Sequence, residues 1–158
     1  MKSQMNRLSL FAVASMAVAL PAIAFAQTQD TEGVKAASKA FYAALPILDD
    51  GTAMAKVWAH TDYVTYVGPR STSPIVGWEP FKIYWLKMNT IFAKRDPTLS
   101  QQQIHVNGNL AWEMGQESGD MKMVDGTAVK ADFLVTNVYE NLDGHWLMVS
   151  HHAQPKPQ

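Results

Sequence analysis

From Leu99 onward the chain consists of alternating segments broken at three places by short glycine turns: "NGN" at Asn107–Asn109, "VDGT" at Val124–Thr127 and "NLDG" at Asn141–Gly144. Period-two alternation punctuated by Asn-Gly or Asp-Gly marks hairpins, and a tight turn can join only antiparallel neighbours. The spacing predicts strands near Leu99–Val106, Asn109–Ser118, Val129–Glu140 and His145–Gln154. Such a sheet must bury one face, and the first half of the chain supplies the cover.

That half reads as helical. Over Thr31–Leu48, Val34, Ala37, Phe41, Ala44 and Leu45 recur at steps of three and four, the spacing of one helical face. The turn signal Asp49–Gly51 is followed by Thr52, which can cap a short second helix. Tyr63–Val67 alternates as a short strand, and the "PRSTSP" loop follows it. A third helix is expected over 77–94, with Phe81, Tyr84, Trp85, Met88, Ile91 and Phe92 at helical spacing and Lys94 and Arg95 in its last turn. Helices first and hairpins afterwards predict an α+β fold, a curved antiparallel sheet packed on about three N-terminal helices.

The first residues read differently. Lys2 and Arg7, the apolar run "LSLFAVASMAVAL" and the small-residue site "AFA" before Gln27 have the pattern of a secretory signal peptide, residues 1–26, cut near Ala26/Gln27. Residues 27–158 then form one domain, periplasmic or secreted, with no membrane association after cleavage. There is no cysteine, which excludes disulfides, thiol nucleophiles and thiolate metal sites. Of 13 basic residues the signal takes two, leaving 11 against 14 acidic ones, and no basic run gives a nucleic-acid footprint. Five Trp and nine Met suit an apolar pocket.

Four stretches together resemble the nuclear transport factor 2-like superfamily and, within it, the SnoaL-like branch: "VWAHTDYVTYVGP" (57–69), "GWEPFKIYW" (77–85), "VNGNLAW" (106–112) and above all "TNVYENLDGHWLMVSHHAQ" (136–154). The resemblance implies a cone whose sheet curls round helices to leave one deep pocket, with dimerisation through the outer sheet face. Members include ketosteroid isomerases, polyketide cyclases, dehydratases and non-enzymatic binding domains, so fold does not give reaction. Isomerase chemistry needs a carboxylate base and an oxyanion hole of a Tyr and a protonated Asp. In a gap-free alignment Tyr42 matches the tyrosine, but Tyr66 and Thr136 stand where the two carboxyl groups belong.

Asp132 shares a strand phase with Leu134 and Thr136 and is a candidate base at the pocket rim. Adjacent strand residues point to opposite faces, so His151 and His152 cannot share a metal without a bulge, and no His-x-His pair exists. No metal or cofactor is expected. His152 matches the family's terminal His and falls in phase with Trp146 and Met148, which places it in the pocket and His151 outside. The expected pocket comprises Tyr42, Trp58, Tyr66, Trp85, Met88, Trp112, Met114, Thr136 and His152, with Tyr42, His152 and Asp132 as catalytic candidates. Three readings follow. One is a domain that binds a small, mostly apolar or aromatic molecule. The second is an acid–base isomerase, cyclase or dehydratase, and the third is a dimeric interaction module with a filled pocket.

Overall fold

A computed structural model describes residues 19–157. Residues 1–18, which carry most of the expected signal peptide, lie outside the described part. Helix α1 runs Ala19–Ala44, α2 is the single turn Thr52–Ala55 and α3 spans Trp78–Ile91. Strands β1 (Thr65–Val67), β2 (Ile75–Val76), β3 (Phe92–Asn107), β4 (Leu110–Met123), β5 (Ala128–Leu142) and β6 (His145–Pro155) form one six-stranded sheet in the order β2-β1-β6-β5-β4-β3. The pairs from β3 to β6 are antiparallel hairpins, whereas β1 joins β6 in parallel, Tyr66 opposite His151. The sheet is therefore mixed. No helix among the described residues is long and apolar enough to cross a membrane.

The helices close one face of the sheet. α1 turns Val34, Ser38 and Phe41 inward, with Leu45 just past its end, and α3 turns Trp78, Phe81 and Trp85. The ring of Trp58 lies 4.3 Å from that of Phe81, and Tyr66 lies 5.4 Å from Phe81, so the aromatic core runs from the segment after α2 through α3 to β1. Burying side chains of this size stabilises by roughly 1.5–3 kcal/mol each.

The third helix stops earlier than its periodicity predicts. Ile91 ends it, Phe92 adopts an extended conformation, and Lys94 and Arg95 belong to β3. β3 also starts well before the expected Leu99, and β2 lies between the expected "PRSTSP" loop and the third helix, where no strand was expected.

Two irregularities re-aim side chains. In β3 an extra residue lies between Ser100 and Gln103, with Gln101 in the left-handed region at φ 53°. In β6 the register with β5 changes by one residue between Val138↔Ser150 and Tyr139↔Met148, which makes Val149 a β-bulge. At that point Met148 turns its backbone toward α2's exit, donating to the Val57 carbonyl and accepting from the Ala59 amide, both at 2.9 Å.

Candidate functional site

The bulge at Val149 inverts the expected phase of the last strand. Trp146 and Met148 keep the inward alternation, the extra residue flips it, and His151 points inward while His152 is exposed. His152 pairs with Thr136 on the outer face, and Asp132 lies on the same face, accepting from Gln116 Nε2 at 2.9 Å. Two of the three catalytic candidates, His152 and Asp132, therefore stand outside the cone. The same inversion holds on β4. Trp112 and Met114 are about 40 % exposed on the outer face, where Trp112 stacks on His105 at 5.2 Å, while Glu113 and Glu117 point inward. The phase was misread because apolar residues were taken to face the core. Here the apolar phase faces out and the inward phase carries two carboxylates.

Between α1, α3 and the concave sheet face lies a cavity of about 640 Å³. Its walls include Trp85, Met88, Phe92, Met121 and Phe133, with Tyr66, Tyr84, Arg95, Glu117 and His151 as polar members and Arg70 and Lys130 among its lining residues. Of the sequence-predicted pocket, Tyr66, Trp85 and Met88 line this cavity. Trp58 is packed in the core, Trp112, Met114, Thr136 and His152 are on the outer face, and Tyr42, partly buried, borders a second hollow of about 570 Å³ with Ser38 and Gln102.

Glu117 and Arg95 are the charged groups of the deep site. Glu117 is 7 % exposed, and its buried Oε2 has no aligned hydrogen-bond partner. Burial pushes its carboxyl up to about 7, and the approach of the Tyr42 hydroxyl only partly offsets this. The Tyr42 hydroxyl lies near Glu117 and Asn137 without completing an aligned hydrogen bond to either; burial and then the Glu117 charge push it well above the usual phenol range. Arg95 sits over the Trp85 ring, 4.1 Å from its centroid, and donates from Nη2 to Asn89 Oδ1. Its Nε is unpartnered, and burial lowers its pKa to about 10, so the guanidinium stays charged at neutral pH.

Beside this pair runs a buried polar chain. Glu113, fully buried, accepts from Asn137 Nδ2 at 2.8 Å, from the Tyr139 hydroxyl at 2.9 Å and from Gln102 Nε2. The β3 bulge brings Gln102 to this carboxylate. Asn137 Oδ1 is 2.8 Å from His151 Nδ1, and burial lowers the His151 pKa to about 4, so the imidazole is neutral at ordinary pH. His151 stacks on Tyr66 with centroids 5.4 Å apart. Among the described residues no group of three or more His, Cys, Asp or Glu is placed to hold a metal ion. Sequence reasoning missed Glu117, Glu113, Asn137, Arg95 and His151 as pocket-side groups. The one signal for them was the Ala111, Glu113, Gly115, Glu117 phase of β4, whose small residues leave room on a concave face.

Comparison with known proteins agrees with the topology. The SnoaL-like domain family matches residues 34–154. Among solved structures, a protein from Streptomyces avermitilis named as a dehydratase of the nuclear transport factor 2-like family superposes with a TM-score of 0.74 at 21 % identity, covering 83 % of this chain and 99 % of that one. A nuclear transport factor 2-like superfamily protein from Salmonella enterica serovar Typhimurium gives 0.70 at 19 % identity over 86 % and 94 % of the two chains. A protein from Thiobacillus denitrificans named as a calcium/calmodulin-dependent protein kinase type II association domain gives 0.66 at 28 % identity over 78 % and 94 %. No curated protein matches the chain in sequence.

Proposed function

The chain belongs to the SnoaL-like domain family, and on that premise we propose that it binds a small, mostly aromatic or apolar molecule in the cone, with the ligand's polar end toward Glu117, Arg95 and His151. The observation that carries this reading is the cavity itself. It is about 640 Å³, within the range of ligand sites, walled by aromatic and methionine side chains and furnished with a few convergent polar groups. Native mass spectrometry of the purified protein and a thermal-shift panel of aromatic compounds test it. At least one compound is expected to bind at micromolar concentration, and Phe133→Trp, which fills the cavity, is expected to weaken it by tenfold or more. A flat response across the panel, with no copurifying ligand, overturns the reading.

A second reading, acid–base chemistry of the isomerase, cyclase or dehydratase kind, is favoured by Glu117. A buried carboxyl that titrates near neutrality and keeps an unpartnered oxygen is poised to take and return a proton. Glu117→Gln should then abolish turnover while leaving ligand affinity within a few-fold; equal rates in the two proteins remove Glu117 from any reaction.

We also propose export and self-association. The basic start, apolar run and "AFA" site support delivery to the periplasm or beyond, and N-terminal sequencing of protein from that fraction, with Gln27 first, is the check. The half-exposed Leu110, Trp112, Met114 and Leu134 on the outer sheet face support a homodimer through that face.

A further inference from the structure

We propose that the cavity selects ligands presenting a hydroxyl, phenol or enol O–H, because the protein fixes His151 as a hydrogen-bond acceptor there. The inference rests on the binding reading above and names the chemical class that the site takes.

The argument is one of hydrogen-bond inventory. Glu113 receives three groups, Asn137 Nδ2, the Tyr139 hydroxyl and Gln102 Nε2, each of which brings a proton. With its amide nitrogen committed to Glu113, Asn137 has only its carbonyl oxygen left, and a carbonyl oxygen can only accept. His151 Nδ1, 2.8 Å away, must therefore carry the N–H. A neutral imidazole has one proton, so Nε2 holds a bare lone pair.

Nothing among the described residues uses that lone pair. The Asn137 contact is the single hydrogen bond of the His151 side chain among the described residues. The neighbours of the ring are Phe41 from α1 and Tyr66 from β1, each with its ring centroid 5.4 Å away and neither hydrogen-bonded to it, and His152 beside it in β6. Among the described residues no carboxylate is hydrogen-bonded to the ring, and burial and then the neighbouring His152 disfavour the imidazolium. His151 nonetheless lines the cavity. A ligand that donates satisfies Nε2, whereas an ether or hydrocarbon of the same shape leaves a desolvated acceptor unpaired, and that asymmetry is the source of discrimination.

The test uses the full chain and three probes of one shape: 1-naphthol, 1-methoxynaphthalene and naphthalene, titrated by calorimetry. Naphthol is expected to bind about tenfold or more tightly than either of the others, the factor that one hydrogen bond of this kind supplies. His151→Phe keeps the ring packing and should bring that ratio to about one. Nitrogen-15 NMR should show His151 protonated at Nδ1 and bare at Nε2, with the Nε2 resonance moving on addition of naphthol. This decides the matter even where the variant fails to fold. Equal affinities for naphthol and its ether, or a proton on Nε2, overturn the inference and leave the pocket reading standing. Failure of all three probes to bind sinks the pocket reading instead.

Discussion

Glu117 and His151 occupy one cavity and respond to burial in opposite directions. Burial raises Glu117 from its ordinary 4.5 to about 7, so the folded state holds its proton more tightly than the unfolded chain does. The stability this contributes is complete below pH 4.5 and is lost as pH rises through 7, on the order of 3 kcal/mol over the window. His151 is lowered from 6.5 to about 4, so its contribution is present above pH 6.5 and is lost as pH falls toward 4. Glu117→Gln should remove the decline between pH 4.5 and 7 and leave the acid limb. Guanidinium melts at pH 5 and 8 check this, and a variant that keeps the wild-type difference between those pH values contradicts the placement of Glu117. Glu113 has the structural counterpart of this role. Glu113→Ala strands two buried donors, Asn137 Nδ2 and the Tyr139 hydroxyl, besides freeing Gln102, and is expected to cost roughly 3 kcal/mol or more, measured in the same melts. At this scale the sequence was least legible. Burial of Tyr66, Trp85 and Met88 followed from their apolar character and spacing, but two buried glutamates on β4 look like a solvated face until the strands beside them are known.

The elements were more legible than the residues, because their punctuation is local. The three hairpins fall at "NGN", "VDGT" and "NLDG", and the two-residue turn between Leu142 and His145 has Asp143 at φ 52° and Gly144 at φ 85°, the positive dihedrals that such a turn requires. The end of α3 was not legible, since Phe92 to Arg95 continue an amphipathic period and no proline or glycine interrupts it. What decides there is tertiary: Arg95 leaves the helix to pair across from Met121 and to lie on Trp85. Close approach of β3 to β4 then depends on glycine. A Cβ on Gly119 would come within 2.3 Å of the Asp96 carbonyl oxygen, and one on Gly115 within 2.8 Å of that of Ser100. Gly119→Ala must push β3 backbone aside, and a loss of about 1–3 kcal/mol is expected by thermal melting, with the cavity wall at Arg95 and Pro97 displaced along with it. A neutral Gly119→Ala would show that the two strands tolerate a wider spacing.

Over the whole molecule, the arrangement of faces departs from the simple rule that apolar strand residues look inward. The outer face carries Trp112, Met114 and Leu134 in neighbouring positions on β4 and β5, and a second copy set on that face would cover them. If the chain dimerises there, the double substitution Met114→Glu and Leu134→Asp should halve the mass measured by light scattering while leaving the pocket's ligand response intact; an unchanged mass moves the contact elsewhere. The overall α+β architecture was readable from the order of helices and hairpins alone. The inside and outside of its last strand were not, because they depend on a count. Val149 acts as a parity bit: bulged out of the ladder, it lets the stretch from Ser150 to Pro155 show one set of side chains to the cavity; laid into the ladder, it would show the complementary set. A deletion of Val149 would remove the bulge and keep His151 toward the cavity, whereas laying Val149 into the ladder would exchange His151 for His152 there without changing either histidine. Among related sequences, the presence of a bulge between the Asp-Gly turn and the terminal histidines, taken with the residue count, would then foretell which one faces the cavity better than which of the two is matched by name.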